Sequence, residues 1–221
     1  MLQLEYITKK YTKDDQAILA LDNVSLQAGE GEFVVVRGTS GSGKTTLLLA
    51  AGGLLKPNHG KILINNVEIY DMTPEKRAIF RANNIGFVFQ QYHLIPYLTI
   101  LENVKVPMLA GKPMIPDNRV IELIDSLGLK ERLHHTPAEL SAGEKQRTAL
   151  ARALLIKPRI LLADEIAGNL DKYNTEIVMD CLTDFAASGG TVLLVTHDAK
   201  ASELAHKTIF LEKGKVIDKN I

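Results

Sequence analysis

Residues 38–45 read Gly38-Thr39-Ser40-Gly41-Ser42-Gly43-Lys44-Thr45, which fits the pattern G-x-x-x-x-G-K-[ST]. The chemistry predicted is the cradling of a phosphate chain. Glycines let the backbone turn so that successive N–H groups face phosphate oxygens, and a helix opening after the loop adds its positive end. Lys44 then reaches the β- and γ-phosphates, and Thr45 ligates Mg²⁺. A second cluster comes much later, where the apolar run 160–163 ends in Asp164-Glu165. Asp164 suits the Mg²⁺ side of such a site, and Glu165 is placed to take a proton from an attacking water. Gln90 follows the apolar run 85–89, and His197 follows 192–196. From its strand end Gln90 could reach the metal or attacking water, and His197 could contact a γ-phosphate. Alone, a lone Gln, a lone His or an Asp-Glu strand end is an ordinary polar terminus. The phosphate loop upstream gives all of them their meaning. Between the two clusters lies the most distinctive stretch, Leu140-Ser141-Ala142-Gly143-Glu144, a small-residue turn opening a long helix.

These residues need elements to hold them. Residues 24–28 and 33–36 read as strands around a turn at 29–31, with the second strand feeding the phosphate loop and a helix following at 44–51. Residues 61–64 and 67–70 flank Asn65-Asn66, a hairpin signal because Asn tolerates positive φ. A helix with Pro at its start is predicted at 74–82, and a buried strand at 85–89. From 94 to 155 the pattern is mostly helical, with one clear apolar helical face over 117–127. Residues 160–163 and 191–195 read as strands covered on both sides. A helix at 173–187 closes at Gly189-Gly190, and a last hairpin joins 209–211 to 216–217. Strands alternating with helices predict an α/β chain with a mainly parallel core sheet. No repeat, low-complexity segment or linker interrupts it.

The 221 residues suit one domain with subdomains, and a hydrophobic content of 46% supplies a core. Lys plus Arg and Asp plus Glu are 26 each, so nothing points to a nucleic-acid partner. Cys181 is the single cysteine, which excludes a disulfide framework within one chain. The first residues lack a basic start followed by an apolar run. The longest apolar stretch, 47–55, is far shorter than the ~20 residues that span a bilayer. The expectation is a cytoplasmic protein whose membrane role comes through a partner.

The order of phosphate loop, Gln90, Leu140–Glu144, Asp164-Glu165, Asn169-Leu170-Asp171 and His197 resembles the ATP-binding cassette (ABC) ATPases over nearly the whole chain. The resemblance implies a P-loop NTPase fold with a mainly parallel core sheet, an N-terminal antiparallel β subdomain and an inserted α-helical subdomain. It divides the single ATPase domain into a catalytic core with β subdomain at 1–91 and 156–221 and a helical subdomain at 92–155. It implies ATP and Mg²⁺ as cofactors. Nucleotide would be bound by Gly38, Thr39, Ser40, Gly41, Ser42, Gly43, Lys44, Thr45 and Thr46, with Tyr11 stacked on adenine. Mg²⁺ would sit near Thr45, Gln90 and Asp164. Glu165 would be the general base, His197 the switch histidine, and Gln90 the link from metal and water to a transport partner. Ser141 and Gly143 would bind the γ-phosphate held by a second copy of the chain, and Asp171 would lie at the contact between copies.

Finer resemblance points to one branch. Residues 85–91, then Leu94-Ile95-Pro96, Leu101-Glu102-Asn103-Val104 and Pro107, with Gly168-Asn169-Leu170-Asp171, are similar to the ATPases of macrolide-export and lipoprotein-release systems. The implied partners are a second copy of the chain and integral membrane permease subunits, met at the inner face of the cell membrane. The implied work is export or mechanotransmission powered by ATP-driven dimerisation. The alternative is a cell-division type of ABC ATPase that acts as a nucleotide-dependent clamp with a membrane partner. Three positions depart from the family pattern. Ala142 stands where Gly is usual, Glu144 replaces a common Gln, and Ile166 follows Glu165 in place of Pro.

Overall fold

The chain opens with two long antiparallel strands, β1 (Leu2–Lys13) and β2 (Gln16–Ala28), and then enters β3 (Phe33–Arg37) and helix α1 (Lys44–Ala51). The structure is a computed structural model that describes residues 1–13, 16–110, 114–168 and 170–217. β4 (His59–Ile64) and β5 (Val67–Glu68) turn at Asn65 and Asn66, both at positive φ, as the hairpin signal requires. α2 (Pro74–Asn84) starts with its backbone N–H of Lys76 donating to the Thr73 hydroxyl, and β6 (Ile85–Val88) follows. Between β6 and the next strand lie α3 (Ile100–Lys105), α4 (Asp117–Ser126) and α5 (Ala142–Leu154), joined by short 3₁₀ turns. The chain then runs through β7 (Ile160–Asp164), α6 (Lys172–Ala187), β8 (Thr191–Thr196), β9 (Lys207–Glu212) and β10 (Lys215–Ile217).

The strands form two sheets. One has the order β2-β1-β4-β5 and is antiparallel throughout. The other has the order β10-β9-β3-β8-β7-β6, parallel from β9 to β6, with β10 antiparallel at the edge. Period-2 alternation sorts the side chains of this second sheet between two cores. Phe33, Val35, Leu161, Ala163, Val192 and Leu194 pack with residues of α5 and α6 such as Leu150, Val178 and Leu182. Val34, Val36, Ile160, Leu162, Leu193 and Val195 pack with Leu47 and Leu48 of α1 and with Leu4, Ile7, Ile62 and Ile64 of the antiparallel sheet. All of these are at most 2% exposed, and each Val, Leu, Ile or Phe among them contributes about 1.5–3 kcal/mol of apolar burial. Coverage on both faces is why β7 and β8 read as unbroken apolar runs. It also makes the strand ends the places where polar side chains gather.

Sequence expectations and structure differ most at the N-terminus. Residues 24–28 were expected to form the first strand, yet β2 begins at Gln16 and pairs with all of β1. Register shifts between Leu4 and Ile7, Ile7 and Lys9, and Lys9 and Lys10, with Tyr6 at φ 54°, break the alternation that would announce β1.

Candidate functional site

The functional side chains converge at the C-terminal edge of β3, β6, β7 and β8, where ligands bind in open parallel sheets. β3 delivers the phosphate loop. Gly41 and Gly43 sit at φ 76° and 104°, a region open to glycine without steric cost. Gly43 is also the N-cap of α1 and makes no side-chain cap, and the first turn of α1 holds no acidic residue. The positive end of the helix is thereby left to an external anion. A Cβ at Gly38 would collide with the Leu211 carbonyl and Ser42, so the loop entry also needs glycine.

Lys44 follows at once and is 7% exposed. Its ammonium donates to the Gly38 carbonyl at 2.8 Å and the Thr39 carbonyl at 3.1 Å, and lies 3.5 Å from Glu165 Oε1. Glu165 extends β7, its N–H donating to Val195 O at 2.9 Å, but turns to φ 49°. A non-glycine residue there costs about 1–2 kcal/mol, the kind of local strain stored at functional sites. The turn aims the carboxylate back across the sheet edge. Glu165 Oε2 accepts from His197 Nδ1 at 2.7 Å, and from His197 N and Thr196 Oγ1, both at 3.3 Å. The β7 and β8 ends thus hold Glu165 between a cation and an imidazole.

Asp164 lies one residue earlier and is 7% exposed. Burial pushes its carboxyl above the usual carboxylate range, the Glu165 charge adds to that, and a hydrogen bond from Thr45 and the Lys44 charge oppose it. Its Oδ1 is buried without a hydrogen-bond partner. A hard cation ligated there would satisfy that oxygen and favour the ionised form.

Lys44, Thr45, Gln90, Glu165 and His197 line one groove of about 910 Å³, together with Thr39, Ser40, Gly41, Gly43 and Thr46. All ten are expected from the sequence. Ile18, Leu19 and Ala20 of β2, and Lys213, which complete the wall, are not. Ile18 and Leu19 are 51% and 38% exposed and offer an apolar surface where a flat ring system could rest. No local pattern marks them, because only the packing of the antiparallel sheet brings them beside the phosphate loop. Tyr11 stands opposite Ile18 on β1, 40% exposed, with Lys9 Nζ 5.6 Å from its ring centroid.

Ser141 and Gly143 belong to a different surface. Ser141 caps α5, its hydroxyl accepting from Glu144 N at 3.3 Å while its own N–H donates to Glu144 Oε2 at 2.8 Å. Both Ser141 and Ala142 are exposed. Gly143 is buried, and a Cβ there would fall on the Asn174 carboxamide. Asn174 bonds to Arg147 of α5 and to Asp171, the N-cap of α6. The segment before the acidic pair and the segment after it are therefore tied together at one helix crossing. Asn169 lies outside the described residues. Ile166 is 2% exposed in the helical core.

Known proteins agree with this geometry. A family model described as "ABC transporter" matches residues 21–168. The ABC transporter ATP-binding protein MJ1508 of Methanocaldococcus jannaschii, itself uncharacterized, is 39% identical over 99% of this chain and 98% of its own length. The macrolide export ATP-binding/permease protein MacB of Chlorobaculum tepidum is 38% identical over 99% of this chain, which spans only 34% of that longer protein. Among solved structures, a dimeric form of the ABC transporter cassette MJ0796 of M. jannaschii superposes with a TM-score of 0.93 at 39% identity, covering 99% of this chain and 97% of that one. A post-hydrolysis dimer of the same cassette, bound to ADP and Pi, gives 0.93 at 38%. With a phosphate loop, a paired acid and a capped serine helix in that fold, the chain belongs to the ABC transporter family and is one of its ATP-binding cassettes, the subunit type that hydrolyses ATP.

Proposed function

We propose that two copies of this chain close on ATP, each supplying one half of each site, and that hydrolysis there powers a separate membrane subunit. The observation that carries this is the position of Glu165, fixed between Lys44 and His197 on the groove wall while Ser141 stands exposed at the head of another helix. The dimeric MJ0796 cassettes, one bound to ADP and Pi, support the same arrangement.

The residues divide the work as follows. The loop amides of residues 38–46 and the Lys44 ammonium hold the phosphates, and Lys44 exchanges its carbonyl contacts for phosphate oxygens. Ile18 and Leu19 offer the base an apolar floor, with Tyr11 as the adjoining aromatic. Glu165 Oε1 and Oε2 are the acceptors for a proton from water attacking the γ-phosphate. His197, hydrogen-bonded to Oε2, orients that carboxylate and can donate to the γ-phosphate. Thr45, Asp164 and Gln90 would hold Mg²⁺. When bound, that ion would supply positive charge against the phosphate oxygens. Among the described residues no group of three or more His, Cys, Asp or Glu could hold a metal by itself. That suits Mg²⁺, which keeps waters and phosphate oxygens as most of its ligands. Ser141 and Gly143 of the second copy complete the γ-phosphate site.

Residues 1–91 and 156–221 act as the catalytic core with its β subdomain, and 92–155 as the helical subdomain that meets the permease at the inner face of the cell membrane. No described helix is long and apolar enough to cross a membrane. MacB, whose name joins ATP-binding and permease parts, supports a membrane partner of export type. Glu165→Gln tests the reading. The amide keeps the shape of Glu165 but cannot take the proton, so the variant should bind ATP, stall and accumulate as a dimer in size-exclusion chromatography with light scattering. Rapid turnover by the variant would remove Glu165 from the base role. A monomer with ATP bound would remove the shared site.

A further inference from the structure

Among the described residues, three helical starts use the same reciprocal cap, pairing Thr99 with Glu102, Thr136 with Glu139, and Ser141 with Glu144. In each, the hydroxyl residue and the glutamate three positions later satisfy each other's backbone N–H. Among the described residues, the Glu144 carboxylate differs from the other two in also forming an ion pair with an arginine. Arg132 Nε donates to Glu144 Oε1 at 3.0 Å, while Glu144 Oε2 stays on the Ser141 N–H at 2.8 Å. The caps at Thr99 and Thr136 form without such a pair, so capping alone does not call for Arg132.

Arg132 is itself held. Its second guanidinium nitrogen lies 3.3 Å from His135 Nε2, and a guanidinium can only donate. The backbone just after it is stitched to the first turn of α3, with Ile100 N donating to His135 O at 2.9 Å and Leu101 N to Leu133 O at 3.1 Å. A two-nitrogen grip on an anchored segment aims the guanidinium at Glu144 although its own side chain is 46% exposed.

The charge bookkeeping at this helix end explains what the grip accomplishes. The Ser141 hydroxyl accepts from Glu144 N, leaving its proton to be donated outward to an anion. Glu144 sits beside that outward face, 18% exposed, and its carboxyl lies below the usual range chiefly through the Ser141 N–H, with Arg132 assisting. An ionised carboxylate there repels the triphosphate that Ser141 is meant to touch. We propose that Arg132 is a positioning residue for the shared site, cancelling the Glu144 charge and locking the Ser141–Glu144 cap so that Ser141 can meet the phosphates held by a second copy. The inference rests on the shared-site reading above and adds to it a residue that touches neither nucleotide nor metal in its own groove.

The test uses the full chain in the Glu165→Gln background, with the ATP-dependent dimer dissociation constant measured by analytical ultracentrifugation. Arg132→Gln should weaken the dimer by about fivefold, the combined effect of a mid-range exposed ion pair lost at each of its two shared sites, with ATP affinity of the monomer and melting temperature unchanged. Arg132→Lys should restore most of the dimer, because it keeps the charge. In a Glu144→Gln background, which keeps the cap but removes the charge, Arg132→Gln should have no further effect. A dimer of undiminished strength in Arg132→Gln, or a loss that persists in full beside Glu144→Gln, overturns the proposal while leaving the shared site standing. A Glu165→Gln parent that stays monomeric with ATP bound overturns the shared site and this proposal together.

Discussion

Gly143→Ala sets two physical expectations against each other. Gly143 lies in the first turn of α5, where alanine in place of glycine ordinarily stabilises a helix by roughly 0.5–1 kcal/mol. The surroundings argue the opposite. A Cβ at this position would fall on the carboxamide of Asn174, so that side chain must swing away. Asn174 then gives up its bond to Arg147 and its side-chain bond to Asp171. Arg147 is 8% exposed and its Nε already lacks a partner, so losing a charged contact there costs about 1.5–3 kcal/mol, and the exposed Asn174–Asp171 bond adds about 0.5–1 kcal/mol. After subtracting the helix gain, the net is destabilisation of about 1–3.5 kcal/mol. For a chain of this size that lowers the melting temperature by roughly 2–14 °C. Urea and thermal melts without nucleotide measure it. Placing Gly143→Ala in an Asn174→Gly background should shrink the additional cost to under about 1 kcal/mol, because the two positions share one contact. A stabilised Gly143→Ala, or a cost that ignores Asn174, would refute the reasoning.

Three further outcomes follow from single residues. Lys44→Ala should lower ATP hydrolysis by on the order of 10²–10³, the usual effect of deleting one charge-stabilising donor, and a steady-state assay on contaminant-free protein checks it. Asp164→Asn should melt a few degrees higher than the parent at neutral pH without nucleotide, because it removes a carboxylate charge that burial disfavours. The folded-state carboxyl of Asp164 is raised, so its stabilising influence is present below the unfolded pKa and is lost as pH rises through the folded one. The gap between variant and parent should therefore close in acid and widen towards neutrality, as melts across pH would record. Cys181, whose thiol burial pushes up to about 11, should react with a thiol reagent at pH 8 about a hundredfold more slowly than a free cysteine, and at the ordinary rate in urea.

The parts legible in the sequence are those where local chemistry and tertiary need coincide. The phosphate loop announces itself because glycine at 41 and 43 answers a backbone requirement. β7 was expected at 160–163 and spans Ile160–Asp164, and α6 was expected at 173–187 and spans Lys172–Ala187. In both, pattern and burial agree. What stayed hidden depends on distant partners. Bulges scramble the alternation of β1, so the sheet that carries Ile18 and Leu19 to the groove was read only from residue 24. The S-x-x-E spacing of Ser141 and Glu144 is a visible capping signal, but nothing local links Glu144 to Arg132. The sequence marks Gly143 for phosphate contact, and nothing local shows that a Cβ there would fall on Asn174.

The claim that one site is built by two copies is tested most directly by complementation. Lys44→Ala spoils the half of the site that holds phosphate, and Ser141→Arg spoils the half presented to the other copy. Each variant alone should be inactive in ATP hydrolysis. Mixed in equal amounts, half of the dimers should pair one variant with the other, and each such pair rebuilds one intact site from Lys44 of one chain and Ser141 of its partner. The mixture should then hydrolyse ATP at about a quarter of the parent rate, as expected for random pairing in a two-fold dimer. A mixture no more active than its two components, with both variants folded and present as pairs, would contradict the shared site.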